Sequence, residues 1–302
     1  MSFASETKLE LCSIASTDVE VLRAELYAML LLSREFSQEK IVFKTENKNT
    51  ADHFVSLCTM LFTPIVEYRK PLTKSSKTFT VELIDSMDCK RIFDFYGHDN
   101  REITLRVNRA NLPDNKCERA FVRGVFLSCG SVTDPDKAYH LELCVVHKIL
   151  CTDICNIIRD IEDCTVTIKM LNRNGSYIGY VKDSEQITDL LTFMGATNSA
   201  MTVMGAKAIK QVRNAANRRT NSEIANLQKV ASASATQIKA INKLKKSGKF
   251  LSLSDELKEV ARLRVEYPEL SLRDMGEMLE PKISRSGVNH RMTKLMKIAN
   301  ED

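Results

Sequence analysis

The chain has 302 residues, 43% of them hydrophobic and 27% charged, a composition typical of soluble globular proteins at a length that accommodates two domains. Six prolines and ten glycines argue against fibrous or long disordered segments. The first residues are charged, and no apolar run near them is long enough to cross a bilayer, so we expect a cytoplasmic protein with no membrane association.

The formal net charge of +5 is unevenly distributed along the chain. Residues 1–195 hold 24 Lys and Arg against 28 Asp and Glu, whereas residues 196–302 hold 20 against 11. A basic part that follows an acidic part indicates a polyanionic partner for the basic part alone. A solvated basic surface is the alternative interpretation.

Two stretches that lie 96 residues apart share a helical pattern: RAELYAMLLLSREFS (23–37) and RAFVRGVFLSCGSVT (119–133). Each carries two small residues four apart, followed by large apolar residues. Small residues at that spacing lie on one face of a helix and allow two helix backbones to approach closely. They are Ala24 and Ala28 in the first stretch and Ala120 and Gly124 in the second.

The elements that follow each stretch occur in the same order: strand, helix, strand, strand, helix. The strands show β-branched and aromatic alternation, and the helices show 3.6-residue periodicity. We therefore predict an α+β fold. Residues 1–195 would form a pseudo-two-fold domain built from two αβαββα-type repeats, at about 17–97 and 113–195. The predicted elements are 41–46, 50–62, 65–70, 78–84 and 88–97 in the first repeat, and 138–145, 148–161, 164–171, 176–183 and 184–195 in the second.

Capping residues delimit these helices. Thr17 with Glu20 forms a capping box for the first small-residue helix, and Asp114 can cap the second. Gly97 and Gly195 end the last helix of each repeat, in the position where a left-handed glycine is common.

The paired small-residue helices resemble the LAGLIDADG homing-endonuclease fold. The resemblance implies that each helix would deliver, at its C-terminal end, a carboxylate that binds divalent metal for phosphodiester cleavage. In this sequence those positions hold Ser33 and Cys129, which are not hard anionic ligands. Glu35, Asp134 and Asp136 lie nearby, but a two-residue slip rotates a helical side chain by about 200°. We therefore predict a degenerate site without catalysis.

Nine cysteines are scattered along the chain without any CxxC motif, and we interpret them as reduced thiols. One group has helical spacing that suits metal ligands. The strand-like alternation before Cys144 divides this group between two elements, so core packing is favoured and no metal or cofactor is predicted. The group consists of His140, Cys144, His147, Cys151 and Cys155.

A basic connector begins at Ala196. We interpret residues 196–220 as a hinge and linker that ends in a basic helix, 207–219, whose Arg213, Arg218 and Arg219 are candidate phosphate contacts. A second helix is predicted over 221–246, capped by Asn221 or Ser222 and ended by Gly248. Its apolar stripe indicates packing on the module that follows: Ile224, Leu227, Val230 or Ala231, Ala235, Ile238, Ile241 and Leu244.

The last part of the chain, within an all-α domain predicted at 221–302, has the pattern of a helix-turn-helix. One helix begins at Ser254 and stops before Pro268, and a short helix begins at Ser271. EPKI (280–283) forms the turn, and a basic helix begins near Ser284. A short helix, a tight turn and a basic helix are typical of DNA readers; a plain three-helix packing module is the alternative.

The basic helix separates into two faces. Val288, Met292, Leu295 and Ala299 would face inward. On the outer face, Arg285 suits guanine and Asn289 suits adenine, whereas His290 is equally well explained as a structural residue. Arg291, Lys294 and Lys297, together with Arg273 of the preceding short helix, suit phosphates. The complete set of candidate DNA contacts here is Ser271, Arg273, Arg285, Ser286, Asn289, His290, Arg291, Thr293, Lys294 and Lys297.

Stretches from both parts resemble the WhiA family, notably RGVFLSCGSVTDPDKAYHLEL, NRRTNSEIANLQK and the segment from Leu257 to Arg291. This resemblance implies a non-enzymatic bacterial transcription regulator linked to sporulation, cell division or chromosome segregation. Its implied partners are promoter DNA and RNA polymerase or another regulator, and its implied location is the nucleoid. An active metal-dependent endonuclease and a protein-interaction scaffold remain alternatives.

Overall fold

The computed structural model describes residues 1–71, 77–99, 104–162 and 165–301. Its contacts divide the chain into two compact units, Met1–Lys210 and Gln211–Asp302. Within the described ranges, no helix combines the length and the apolar character that crossing a membrane requires.

The first unit contains the predicted repeat. Each copy begins with a long helix and continues with two strands, a helix, two strands and a helix. The first copy consists of α2 (Val19–Leu31), β1 (Glu35–Phe36), β2 (Ile41–Thr45), α3 (Lys48–Phe62), β3 (Val66–Arg69), β4 (Phe79–Leu83) and α4 (Ser86–Phe95). The second consists of α5 (Asn115–Cys129), β5 (Gly130–Val132), β6 (Leu141–Val145), α6 (Lys148–Asp160), β7 (Lys169–Arg173), β8 (Ser176–Val181) and α7 (Ser184–Met194).

Each copy forms one antiparallel four-stranded sheet, and the two sheets have the same order, β1-β2-β4-β3 and β5-β6-β8-β7. The registers also correspond, because Ile41 pairs with Leu83 in the first sheet and Leu141 pairs with Val181 in the second. The short strands β1 and β5 were not predicted, because their length gives no alternation pattern to detect. β5 follows α5 directly, and β1 follows α2 after three residues.

The central helices α2 and α5 pack against each other as the small residues predicted. Ala24, Ala28 and Ala120 are completely buried. A Cβ atom added to Gly124 would overlap the backbone carbonyl oxygen of Glu25 and lie 2.9 Å from Cβ of Ala28. The two backbones are therefore so close that only glycine fits at this crossing.

The predicted helix ends are confirmed at three positions and wrong at one. The Asp114 side chain accepts from the Cys117 amide, and Gly97 and Gly195 have φ values of 73° and 99°. At the start of α2, however, the cap is Asp18, whose carboxylate accepts from the Glu20 amide at 3.0 Å. The predicted Thr17–Glu20 box is thus displaced by one residue, because Asp is an equally good cap.

Helix α1 (Phe3–Cys12) was not predicted. Its Glu10 carboxylate accepts from the backbone amides of Asn198 and Ser199, at 2.7 and 3.0 Å, and from the Ser199 hydroxyl at 2.7 Å. These are donors at the beginning of α8 (Thr197–Lys246), where helix amides lack intrahelical partners.

The basic helix predicted at 207–219 is present as part of α8, which runs without interruption from Thr197 to Lys246. The start of the segment, expected to be a hinge, is therefore helical, and the division between the two compact units falls after Lys210. The segment is rich in Ala and other good helix formers, and Glu10 supplies a cap that no local pattern shows. Asn221 and Ser222 consequently lie inside the helix and cap nothing. Gly248 adopts the predicted left-handed conformation with φ of 75°.

The second unit packs the end of α8 against three helices, α9 (Asp255–Glu266), α10 (Leu272–Met278) and α11 (Arg285–Asn300). The stripe predicted along α8 is buried only at its end, where Ile241 and Leu244 join the core. Ile224 and Leu227 are 47% and 67% exposed, so the prediction is wrong for that part.

Candidate nucleic-acid interface

Ser33 and Cys129 occupy equivalent places at the ends of the two central helices. The Ser33 hydroxyl donates to the Met29 carbonyl at 2.9 Å, and the Cys129 thiol lies 3.4 Å from the Val125 carbonyl. Both side chains are therefore directed back to their own helix, four residues earlier. Burial raises the pKa of the Cys129 thiol to about 12, so it is not a thiolate at neutral pH.

The nearby acids do not replace the missing carboxylates. Glu35 lies in β1 and is exposed, and Asp136 is exposed in the loop after β5. The Asp134 carboxylate accepts from the Asp136 amide at 3.0 Å, which closes that loop. In the part of the chain that the structure describes, no three His, Cys, Asp or Glu side chains come together as a metal site.

A lysine lies where a nuclease would need anions. The Lys8 ammonium donates to the Leu127 carbonyl at 3.0 Å, two residues before Cys129, and burial lowers the pKa of this lysine. A cation there satisfies an orphan carbonyl at the C-terminal end of α5 and interacts favourably with the helix dipole. It would also repel a divalent metal ion. No sequence pattern connects Lys8 to Cys129, so sequence reasoning missed it.

The group of histidines and cysteines that the sequence singled out is divided between β6 and α6, and His140 lies just before β6. Cys144 is exposed in β6, and His147 precedes α6. Cys151 and Cys155 are buried in α6. The buried pair belongs to the hydrophobic core of the first unit.

Helix α11 has the two faces that the sequence predicts. Ser284 caps its start by accepting from the Gly287 amide at 3.3 Å. The predicted inward stripe is buried: Val288, Met292, Leu295 and Ala299. The opposite face is exposed and consists of Arg285, Ser286, Asn289, His290, Thr293, Lys294 and Lys297. In α10, Arg273 is exposed, and the Ser271 hydroxyl caps the helix by accepting from the Asp274 amide at 3.2 Å.

Some of the candidate cations already have acidic partners. Arg291 lies 3.3 Å from Glu256, Lys297 lies 3.8 Å from Glu301, and Arg219 lies 3.1 Å from Glu223. Arg213 and Arg218 are exposed on α8. At least one partner of each pair is exposed, and ion pairs at exposed positions are weak.

Arg285 and Arg273 line a cavity of about 420 Å³ inside the second unit, together with Lys229 and Arg264. The last two residues were not predicted as part of any site. The sequence does contain an indication that Arg264 is buried. It occurs on the apolar face of α9, three residues after Ala261 and four after Val260, both fully buried. A charged residue in such a stripe is rarely buried without a partner.

The fold and the altered helix ends define a helix-turn-helix protein with a degenerate LAGLIDADG-like domain. The model of the WhiA C-terminal HTH domain matches residues 216–299, and that of the WhiA LAGLIDADG-like domain matches residues 118–213. The "probable cell division protein WhiA" of Alkaliphilus metalliredigens is 34% identical, over 100% of this chain and 98% of the relative. That of Ruminiclostridium cellulolyticum is 35% identical, over 99% and 97%. The chain belongs to the WhiA family.

Two solved structures agree with this fold. Full-length WhiA from Thermatoga maritima superposes with a TM-score of 0.62 at 22% identity, covering 99% of this chain and 98% of that one. The N-terminal LAGLIDADG domain of WhiA superposes with a TM-score of 0.51 at 18% identity, covering 64% and 90%.

Proposed function

We propose that this protein is a non-enzymatic, sequence-specific DNA-binding transcription regulator that acts in cell division, chromosome segregation or sporulation. The observation that carries the proposal is the exposed face of α11, where Asn289 lies among basic and hydroxyl side chains on a helix anchored by its buried stripe. Relatives named as probable cell division proteins support the cellular role.

In this proposal the helix-turn-helix reads a promoter site in the major groove. Asn289 pairs with adenine, and Ser286, His290 and Thr293 contact neighbouring base edges. Arg273, Arg291, Lys294 and Lys297 contact backbone phosphates. The Ser271 end of α10 approaches the backbone, and Arg213, Arg218 and Arg219 of α8 add affinity that is independent of sequence.

The first unit contributes no cleavage in this proposal. Ser33 and Cys129 are not metal ligands, and the Lys8 ammonium opposes a cation beside Cys129. We propose that this unit serves as a surface for RNA polymerase or another regulator, and that the protein acts at the nucleoid in the cytoplasm.

The division of labour is tested by DNA-binding titrations at several salt concentrations. Asn289→Ala is expected to lose about 1–3 kcal/mol on the preferred site and to blur base preference. Arg218→Ala with Arg219→Ala is expected to weaken all sequences alike and to reduce the salt slope by about 2, since each phosphate contact contributes roughly 0.9. Identical behaviour of the two variants would refute the proposed roles.

Two further outcomes separate the rival functions. Nicking of supercoiled plasmid with Mg²⁺ or Mn²⁺, abolished by EDTA, would establish the endonuclease. Absence of duplex binding even at low salt would favour the protein-interaction scaffold.

A further inference from the structure

Four elements of the second unit surround the cavity of about 420 Å³ described above. Helix α8 contributes Lys229, Val230, Ala233 and Gln237, and α9 contributes Arg264. The starts of α10 and α11 contribute Ser271, Leu272, Arg273 and Arg285. We call it the arginine pocket. Its lining includes four cationic side chains and no carboxylate, and its size is in the range of pockets that hold small ligands.

Arg264 is the fixed component of the arginine pocket. The residue is only 2% exposed, and its Nη1 donates to the carbonyl oxygens of Pro268 and Leu270, at 3.3 and 2.8 Å. These two bonds hold the guanidinium in place from one side.

The other edge of this guanidinium consists of Nε and Nη2. The Nε of Arg264 is buried without a hydrogen-bond partner among the described residues. Nε and the adjacent Nη2 form the edge with two parallel N–H groups, which suits bidentate binding of a phosphate or carboxylate. A buried donor without a hydrogen bond costs about 1–3 kcal/mol. The carboxylate of Glu269 acts on Arg264 through its charge but does not hydrogen-bond Nε, so this donor is open to an added anion.

Gln237 is a second unpartnered polar group in the same wall. It is 7% exposed, and its Oε1 has no donor among the described residues. The two orientations of a carboxamide differ only in which atom is oxygen. In the reversed orientation the Gln237 amide offers N–H donors to the same anion.

We propose that the arginine pocket binds a phosphate group, held by the Nε–Nη2 edge of Arg264 and by the cations Lys229, Arg273 and Arg285. Phosphate fits better than a carboxylate because its three or more oxygens can use donors that converge from four elements. Two sources share this chemistry: a backbone phosphate of the duplex that α11 reads, or a free phosphorylated small molecule. The first source rests on the proposed function, and it assigns Arg285 to the backbone instead of a base.

The test uses the full-length protein and variants that should leave the fold intact. Lys229 and Arg273 are exposed, so Lys229→Gln and Arg273→Gln remove charge at the pocket without removing the carbonyl bonds of Arg264. Arg262→Gln and Lys239→Gln are matched controls, because these exposed residues lie on α9 and α8 and do not line the pocket. Arg264→Lys keeps the charge and removes the fork.

Inorganic phosphate is the first probe. In ¹H–¹⁵N spectra of the arginine side chains, titration with sodium phosphate at constant ionic strength should shift the Arg264 Nε signal and leave that of Arg262 unchanged. Lys229→Gln and Arg273→Gln should weaken this response several-fold. An Arg264 signal that does not respond to phosphate or to duplex overturns the pocket.

Duplex DNA is the second probe, titrated against each variant over a range of salt. If the phosphate comes from the backbone, Lys229→Gln should lower affinity about tenfold on every sequence and reduce the salt slope by about 1, while Lys239→Gln and Arg262→Gln have smaller effects. If free phosphate shifts Arg264 but Lys229→Gln binds duplex like the wild type, the source is the free small molecule; Arg273→Gln does not decide this, since Arg273 is already a proposed DNA contact.

The two proposals fail in distinguishable ways. A wild type that binds no duplex, with Arg264 still responding to inorganic phosphate, refutes DNA binding and supports the pocket. If Asn289→Ala loses affinity for duplex while the Arg264 Nε signal responds to neither phosphate nor duplex, the pocket is refuted and DNA binding is supported.

Discussion

The guanidinium of Arg123 lies directly against the carboxylate of Glu25, with Nη2 and Nε at 2.6 and 2.9 Å from the same oxygen, Oε2. The other oxygen of Glu25 is 2.8 Å from Nε2 of His53, and Nη1 of Arg123 donates to the Met194 carbonyl at 3.3 Å. Glu25 is on α2 and Arg123 is on α5, so this buried ion pair joins the two central helices next to the Gly124 crossing.

Removal of one partner should destabilise the first unit strongly. Glu25→Gln leaves the Arg123 charge buried without its counter-charge, and we expect a loss of about 3–5 kcal/mol in the free energy of unfolding. Urea unfolding followed by circular dichroism measures this. The exposed pair Glu20–Arg23 is the control, where Glu20→Gln should cost less than about 1 kcal/mol. Equal losses in both variants would contradict the role of burial.

The same pair should make stability depend on pH in the acid range. Burial by itself would raise the pKa of Glu25, but the hydrogen bond from His53 and the charge and hydrogen bonds of Arg123 outweigh it and hold this pKa below its ordinary value of 4.5. A carboxylate with a depressed pKa stabilises the folded state above about 4.5, and the contribution is lost as the pH falls through the folded value.

The penalty of Glu25→Gln should therefore be largest at neutral pH and shrink as the pH falls below 4.5, because the unfolded wild type then takes up a proton at Glu25 while the folded protein does not. The decrease ends once the pH is below the lower folded pKa, where the folded wild type is protonated as well. Unfolding free energies of both proteins, measured at pH 7 and at decreasing acid pH values, decide this. A penalty that is constant over the range would exclude Glu25 as a titrating group.

A metal site should be harder to restore at Cys129 while Lys8 is present. Cys129→Asp supplies the missing carboxylate, but its charge would be neutralised by the ammonium bound to the Leu127 carbonyl. We expect Cys129→Asp with Lys8→Gln to bind Mn²⁺ roughly tenfold more tightly than Cys129→Asp alone, because even a partly solvated unit charge contributes about 1 kcal/mol or more at short range. Titration calorimetry measures both, and equal affinities would show that Lys8 does not oppose the ion.

Glu10 should be needed for the first turn of α8. Glu10→Gln weakens the bonds to the amides of Asn198 and Ser199, and we expect a loss of about 1–2 kcal/mol. Hydrogen exchange should speed up at those two amides. Glu6→Gln is the control on α1, since Glu6 is exposed. Unchanged protection of Asn198 and Ser199 in Glu10→Gln would show that the cap is dispensable.

Local patterns predicted most of the first unit, because its strands alternate and its helices have buried stripes. Ala24, Ala28, Ala120 and Gly124 identified the helix pair and the pseudo-symmetry. The ion pair of Glu25 and Arg123 was not predictable, since its partners lie 98 residues apart and each one looks like an ordinary surface residue in its own helix.

The candidate site, too, was predictable only where a local pattern exists. The faces of α11 follow from periodicity, and Ser33 and Cys129 follow from the repeat. The contributions of Lys8, Lys229 and Gln237 depend on contacts between elements distant in sequence. The small polar residues after Ala196 were expected to form a hinge for a related reason: they begin a helix, and its cap is Glu10, far earlier in the chain.

Helix α1 contacts the ends of two other helices. Lys8 and Glu10 are two positions apart, which places them about 200° apart around the helix axis, and they bind the end of α5 and the beginning of α8 respectively. A single deletion of this ten-residue helix would thus remove both the cation beside Cys129 and the cap of α8, so that the end of one helix and the beginning of another would lose their partners together.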